Sequence, residues 1–538
     1  MSAQLLVAIN LNYTGQFSQA NELMTEMHAM FESPDLPPLA LTILKDIEAM
    51  YYMLTADRDA CLEAVYEGIR IAESSGVDAW STHLLSNGIG GALGAGDLDT
   101  AEELISKMRE GAREIRRLDL CNLHYYSAWR DMLREDYVGA HRELKTALRL
   151  ATETGCPFYV MLCRTAMAQV LAVLGDERRA ASQLRRVHEG ARGINNPLFE
   201  FMSLLVYAHS AFEHGRERSA INSLRYAMGV GREHGLKHFL WWQPSMMAKL
   251  CVRALQAGIE VEYVKDLIRQ RDLMPEEPPL VVEEWPWPFQ IRAFGRFEIL
   301  RDGKPTSFFA KLQGKPMELL KSLVGFGGDD IQELKLAESI WPRIDGDYAQ
   351  RSLTTTLHRL RKILGIDQAV ALRNGRLALN PRFCWLDLRA FEEVTRKIDS
   401  YLKGAASSVS SECVIRLRER LLGLYRGPFM ASEGDDPRYV GVRERMRNKF
   451  ERCIGDLARY FESIGQWEQA VDCYIRSLEA DDLAEAFYRR LMLCYRELGR
   501  QAEAVDVYNT CKRIFNAELN IEPSPETRAV YERVLSEL

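Results

Sequence analysis

Arg351, Thr354, Thr355, His358, Arg359, Arg361 and Lys362 crowd into the stretch "RSLTTTLHRLRKILG" (351–365), which holds no acid. Their types suit one chemistry. Arginine grips a guanine edge or a phosphate bidentately, and threonine bonds a phosphate or touches a thymine methyl. Small threonines also let a helix sit deep in a groove. On a helical wheel Leu353, Leu357, Leu360 and Leu364 share the opposite face, at spacings 4, 3 and 4. The stretch is therefore predicted to be an amphipathic helix with an apolar back and a basic front. From 350 to 376 there are six basic residues, Arg373 and Arg376 among them, against the single acid Asp367. That is a local charge of +5 in a chain whose net charge is −7. The acidic average argues against indiscriminate adhesion to nucleic acid or membrane, and the local excess points to one basic reading head. Taken alone, such a helix is more often an ordinary surface helix with solvated arginines. Its neighbours decide.

Before it, "FQIRAFGRFEILRDGKPTSFF" (289–309) reads as short strands, with a hairpin turn at Asp302-Gly303. Two helices are predicted over 315–326, with Pro316 in the first turn, and over 332–341. "PRIDGDY" (342–348) reads as a loop. After it, "AVALRNGRLALN" (369–380) gives two alternating strands across Asn374-Gly375, a type I′ hairpin by residue choice. Strands, three helices and a two-stranded wing make a winged helix-turn-helix. In such modules the third helix enters the major groove and the hairpin touches neighbouring backbone or minor groove. Arg351, Thr354, Thr355, His358, Arg359, Arg361 and Lys362 are thus the expected DNA contacts. Arg373 and Arg376 flank the wing turn, and the sequence does not choose between them.

The 538 residues as a whole are 47% hydrophobic and 27% charged, an ordinary soluble composition for several domains. The first half repeats itself. "GQFSQA", "ADRDA", "GDLDTA", "EDYVGA", "GDERRA" and "GRERSA" end on Ala20, Ala60, Ala101, Ala140, Ala180 and Ala220, at spacings 40, 41, 39, 40 and 40. Two amphipathic helices per period of about 40 make a helical solenoid. After about residue 235 the period fades into one more helical region, "WWQPSMMAKLCVRALQ" and "VEYVKDLIRQR". Trp241 and Trp242, with His238 and Phe239, either pack in the repeat core, the preferred reading, or line a ligand pocket. Pro275, Pro278, Pro279, Pro286 and Pro288 fall within 14 residues and predict an extended linker. Beyond about 386 the chain is helical again, and Ala470 and Ala504 lie 34 residues apart, the tetratricopeptide period.

The fold class expected is mainly α. A helical-repeat solenoid spans 1–272, a Pro-rich linker 273–288, a winged helix-turn-helix 289–384 and a tetratricopeptide-like helical domain 385–538. Eleven cysteines without a CxxC read as reduced core residues, so no metal site is expected. No apolar run of about 18 residues and no signal peptide are seen, so a cytoplasmic protein without a membrane partner is expected. No GxSxG, HExxH or dinucleotide fingerprint appears, and the ten histidines are scattered. No enzyme, catalytic residue or cofactor is expected.

Residues 289–538 resemble transcriptional activators of the Streptomyces antibiotic regulatory protein type, which join an OmpR-like winged helix to a bacterial transcriptional activator domain. "GRFEILRDGKP", "LAESIWP", the 351–365 stretch and "WLDLRAFEE" match the first half; "LYRGPFM", "RERMRNKF" and "GRQAEAVDVYNTCKRIFNAELNIEPSPETRAVY" match the second. The resemblance implies that Arg351, Thr354, Thr355, His358, Arg359 and Arg361 face promoter DNA. It also implies contact with RNA polymerase and self-association on DNA. Two departures are Asp481-Asp482 for the usual Asp-Pro, and Gly375-Arg376 for the usual Gly-Tyr of the wing. Residues 1–272 resemble the helical sensor region of large activators related to the maltose regulon activator, which implies an effector or protein partner there. No GxxxxGK[ST] occurs, so no nucleotide switch is expected. The competing reading is an interaction scaffold whose winged helix docks protein; steep salt dependence would mark DNA instead.

Overall fold

The computed structural model describes residues 2–30, 37–76, 79–111, 116–194, 196–305, 313–403, 411–434, 436–480 and 482–536. Asp481 and the 306–309 end of the first predicted strand region lie outside them. The chain divides into two compact units, Met1–Glu277 and Pro278–Leu538.

The first unit is built of helix pairs: α1 (Ser2–Tyr13) and α2 (Phe17–Met30), α3 (Pro38–Thr55) and α4 (Arg58–Ser75), α5 (Ser81–Ala95) and α6 (Leu98–Gly111), α7 (Arg117–Leu133) and α8 (Tyr137–Glu153), α9 (Pro157–Val173) and α10 (Glu177–Ile194), α11 (Pro197–Glu213) and α12 (Glu217–His234). Helices α13 (Pro244–Gln256) and α14 (Val261–Gln270) follow. Each even-numbered helix through α12 starts alike. The N–H groups of Ala20, Cys61, Ala101, Ala140, Ala180 and Ala220 each donate to the carbonyl four residues back. In four repeats that earlier residue is an aspartate whose carboxylate also caps the helix: Asp57, Asp97, Asp136 and Asp176. This register corrects one expectation. The small residue of the second repeat is the fully buried Cys61, not the half-buried Ala60, because Asp57 caps and the fourth residue after the cap turns inward.

The odd-numbered helices form the inner layer. Helix α5 is buried at every position from Leu84 to Gly94, whereas its outer partner α6 buries a single stripe of Ala101, Leu104, Ile105 and Met108. The repeats close on themselves. Asn196 donates its amide to the Tyr13 carbonyl at 3.0 Å, and the Tyr13 ring lies 4.3 Å from Phe158. The segment Leu236–Gln243 is not helical; α13 begins only at Pro244, where proline suits the first turn. His238, Phe239, Trp241 and Trp242 are all buried.

The second unit begins inside the expected linker. Trp285 and Trp287 are buried; Trp287 Nε1 donates to the Val282 carbonyl at 3.0 Å, and Trp385 Nε1 to that of Leu280 at 2.7 Å. From Pro278 the proline-rich stretch is therefore packed structure, because two indoles and their N–H groups find a core and partners there. Strands β1 (Phe289–Arg292), β2 (Glu298–Arg301), β3 (Lys304–Pro305) and β7 (Cys384–Leu386) form a sheet in the order β3-β2-β1-β7, with β7 parallel to β1. Strands β4 (Ile331–Gln332), β5 (Val370–Arg373) and β6 (Arg376–Leu379) form a second sheet, β4-β6-β5. In sequence α15 (Lys315–Gly325) lies between β3 and β4, and α16 (Glu333–Ile340) and α17 (Gly346–Leu364) lie between β4 and β5.

Seven helices complete the unit: α18 (Asp387–Lys403), α19 (Ser411–Leu424), α20 (Pro437–Ser463), α21 (Trp467–Ala480), α22 (Glu485–Glu497), α23 (Gln501–Leu519) and α24 (Pro525–Ser536). Ala470 and Ala504 are fully buried and donate to carbonyls four residues back, as in the first unit. All eleven cysteines are free and nine are buried. Among the described residues no helix is long and apolar enough to cross a membrane.

Candidate nucleic-acid interface

Helix α17 carries the basic stretch, and its start lies earlier than the sequence suggests. Asp345 caps it, accepting from the Asp347 N–H at 3.1 Å, and Ala349 is already buried. "PRIDGDY" is thus half loop, half first turn. The helix ends on Gly365, whose φ of 73° suits glycine and whose N–H closes on the Arg361 carbonyl. Leu353, Leu357, Leu360 and Leu364 are all buried.

The three threonines are compatible with a helix because each hydroxyl donates back to the carbonyl four residues earlier. Thr354 bonds Gln350 at 3.1 Å, Thr355 bonds Arg351 at 3.2 Å and Thr356 bonds Ser352 at 2.7 Å. Thr356 turns inward; Thr354 and Thr355 are exposed and keep their methyls and oxygen lone pairs outward. Arg351, Thr354, Thr355, His358, Arg359 and Lys362 form one exposed stripe, at helical spacings of three and four. Among the described residues Arg351, Arg359 and Lys362 have no acidic partner. Other arginines of the chain are paired, as Arg130 is with Glu102 and Asp131, and Arg396 with Glu393.

Two arginines behave differently from the expectation. Arg361 is half-buried, and its Nε and Nη2 both donate to the Val370 carbonyl, at 3.0 and 2.7 Å. It clamps α17 to the first wing strand instead of standing on the free stripe, because the carbonyl at the start of β5 is within its reach. Arg376 donates from Nη1 to the Asp330 carbonyl at 2.9 Å and to its carboxylate at 2.8 Å. The wing turn has φ of 52° at Asn374 and 71° at Gly375, both positive as type I′ requires. Arg373 pairs across the ladder with Arg376, is exposed, and among the described residues has no acidic partner. The wing's uncommitted charge is therefore on Arg373.

Two residues not singled out from sequence join this surface. Tyr348, 62% exposed, stands three residues before Arg351 and seven before Thr355, on the same stripe. It was hidden because "DGDY" looks like a turn; the capping aspartate was the available signal. Arg343, in the turn leading into α17, is exposed and among the described residues has no acidic partner.

The winged helix is fastened to the C-terminal helices by buried polar groups. Asp387, at the start of α18, accepts from the N–H groups of Ala293 and Phe294 at 2.7 and 2.9 Å. Burial pushes its carboxyl up to about 7, against the opposing pull of those backbone donors. Arg389 donates to the carbonyls of Leu379 and Gly328, tying α18 to the wing's second strand. Glu283 meets Arg292, Arg420 and Arg426 at 2.7, 3.2 and 3.1 Å. Burial alone would raise its carboxyl, but the arginines, Arg420 foremost, hold it below the usual carboxylate range. Among the described residues no group of three or more His, Cys, Asp or Glu side chains could hold a metal ion.

Residues 386–535 match the family model for the bacterial transcriptional activator domain. The Regulatory protein AfsR of Streptomyces griseus is 27% identical over 250 residues, which is 46% of this chain and 24% of that protein. The Transcriptional regulatory protein MoaR1 of Mycobacterium tuberculosis is 28% identical over 213 residues, 38% of this chain and 66% of that one. The Transcriptional regulator RedD of Streptomyces coelicolor is 23% identical over 228 residues, 42% and 65% respectively. The chain thus spans about a quarter of the first relative and just under two thirds of the other two. Among solved structures, Mycobacterium tuberculosis EmbR in complex with a low affinity phosphopeptide aligns at a TM-score of 0.35 and 20% identity, covering 46% of this chain and 65% of that one. So low a score adds no argument.

Proposed function

From a chain whose residues 386–535 match the model of the bacterial transcriptional activator domain, and which is similar to activators of the Streptomyces antibiotic regulatory protein type, we propose that this protein is a sequence-specific DNA-binding activator of transcription. The observation that carries the reading is the stripe on α17. Arg351, Arg359 and Lys362 are exposed without an acidic partner among the described residues, and they share one helical face with Thr354, Thr355 and His358. Desolvating an unpaired arginine against a phosphate or a guanine edge gives strong bidentate bonds. Thr354, Thr355 and His358 lie between these cations and would read base edges in the major groove. Arg373 on the wing would reach the flanking backbone or minor groove. Arg361 and Arg376 act indirectly, the first by fixing the wing against α17 and the second by fixing the wing's base.

The C-terminal helices would carry self-association or contact with RNA polymerase, and the Asp387, Arg389 and Glu283 bonds would transmit that contact to the winged helix as a fixed geometry. The repeats of the first unit would receive an effector or protein signal. The test is transcription in vitro, with purified bacterial polymerase and a template that the protein retains. The expected result is more transcript with the protein, and none of that increase with an Arg351→Ala/His358→Ala/Arg359→Ala variant. Equal transcript with and without the protein would overturn the activator reading.

A further inference from the structure

We propose that the axial channel of the first unit is a peptide-binding site, occupied in this structure by the chain's own segment Leu236–Gln243, whose exchangeable ligand is an extended peptide presenting a bulky aliphatic residue followed by two aromatic ones. This deepens the signal-receiving role proposed for the first unit. Its test reads peptide occupancy and not DNA, so the two readings fail separately.

The segment meets the inner layer along its whole length. At one end Leu236 fills the space above Gly15, just after α1, where an added Cβ would stand 2.9 Å from the leucine methyl. His238 does the same over Gly94 of α5, also at 2.9 Å. Leu240 shares an apolar cavity with Tyr13, Met53, Phe158, Leu162 and Met202, from α1, α3, α9 and α11. Trp241 stacks on Trp129 of α7, with centroids 6.4 Å apart and planes 18° apart. At the other end the Gln243 amide donates to Gln169 of α9, beside a groove lined by Val173, Val206, His209 and Met246. A non-helical segment that touches the inner helices from α1 to α11 occupies the position of a ligand in a closed solenoid.

The segment is held by its side chains. Among the described residues, no main-chain hydrogen bond is made by the N–H groups from Lys237 to Trp242, although all but Lys237 of these residues are buried. Trp241 has a φ of 69°, a left-handed conformation that a bulky residue adopts only under constraint. The wall carries spare polar atoms: both amide atoms of Asn12, Trp129 Nε1 and Gln169 Nε2 are buried without a partner. So are His238 Nδ1 and Trp241 Nε1 in the segment itself. As a rule buried polar groups are paired, and here unpaired ones lie both in the segment and in the inner helices α1, α7 and α9. Spare donors and acceptors on both wall and segment mark a seat that side chains fill and the backbone does not complete. A free peptide is not bound by the covalent path from α12 to α13, and could take up those bonds. Exchange would also release the connection between α12 and α13, and so the chain that leads on to the second unit.

The test uses the full chain with Leu240→Ala/Trp241→Ala/Trp242→Ala, checked for helix content, and a fluorescent copy of residues 235–244, GLKHFLWWQP. The expected result is saturable binding of this peptide to the variant, with a shuffled peptide of the same composition about tenfold or more weaker. The wild-type chain should bind the copy about tenfold or more weaker than the variant, because its tethered segment competes at high effective concentration. A folded variant that binds neither peptide, or both equally, overturns the proposal. Should the variant not fold, the wild-type chain is irradiated with the same peptide carrying a benzophenone side chain at the Leu240 position. Labelling at Met53 or Met202 supports the channel site; labelling spread over outer helices, or none, overturns it.

Discussion

Replacing Arg373 by alanine should weaken DNA binding and flatten its salt dependence, whereas replacing Arg376 should leave the salt dependence unchanged. The difference is worked from the wing. Arg351, Arg359, Lys362 and Arg373 are exposed cations with no acidic partner among the described residues, while Arg376 is committed to Asp330. If each of the four neutralises one phosphate, the logarithmic salt slope is about −3.6 for one winged helix, and raising salt from about 50 to 200 mM lowers affinity about 150-fold. Removing Arg373 takes about 0.9 from that slope, so the same salt change costs about 3.5-fold less. Removing Arg376 leaves the slope unchanged and costs stability of about 1 kcal/mol or less, the usual worth of an exposed pair. The assay is fluorescence anisotropy on a duplex that the protein retains, across that salt range. If Arg376→Ala flattens the slope as much as Arg373→Ala, the Asp330 pair opens on DNA and the assignment of the wing charge is wrong.

Other consequences follow from the same structure. Arg361→Ala should lower stability by roughly 1–3 kcal/mol by leaving the Val370 carbonyl without its donor, while Lys362→Ala, whose side chain is exposed on the free stripe, should stay within about 0.5 kcal/mol; thermal melting of the two separates a clamp from a free cation. Ala101→Leu should cost about 1–3 kcal/mol by overpacking the helix contact, and Ala60→Leu under about 0.5 kcal/mol, measured by urea midpoints; equal costs would place the repeat register one residue back. Asp387 has its folded value raised to about 7, above an unfolded value of about 3.9. Its contribution is therefore fully present below about pH 4 and lost as pH rises through about 7, by up to about 4 kcal/mol. Asp387→Asn removes that ionisation, so its stability relative to wild type should rise between about pH 4 and 7; a difference that is flat with pH refutes the raised carboxyl.

What was readable in advance was what local pattern encodes. The leucine and cation alternation of α17, the Asn374-Gly375 turn and the periods of the repeats are each set within a few residues, and each forms as its pattern requires. Where partners are distant in sequence, the pattern is silent. Arg361 finds a carbonyl nine residues on, Arg376 an aspartate 46 residues back, and Glu283 an arginine 137 residues away. Nothing in their neighbourhoods distinguishes them from solvated charges. The start of α17 was missed because Gly346 between two aspartates has the composition of a turn, and tertiary packing of Ala349 outweighs it. The prolines before Trp285 read as linker because a local rule cannot see the core that buries the indole. An alanine pattern aligned on residue type selects Ala60, whereas the Asp57 cap sets the register on Cys61.

The central claim, that this acidic chain reads DNA through the unpaired stripe of α17, is tested most directly by passing fragmented genomic DNA over the purified protein and sequencing what is retained, beside the Arg351→Ala/His358→Ala/Arg359→Ala variant. The account predicts strong enrichment of a few sites by the wild-type chain and loss of those sites by a variant that melts at the same temperature. Weak, equal retention by both proteins, without enriched sites, would contradict it.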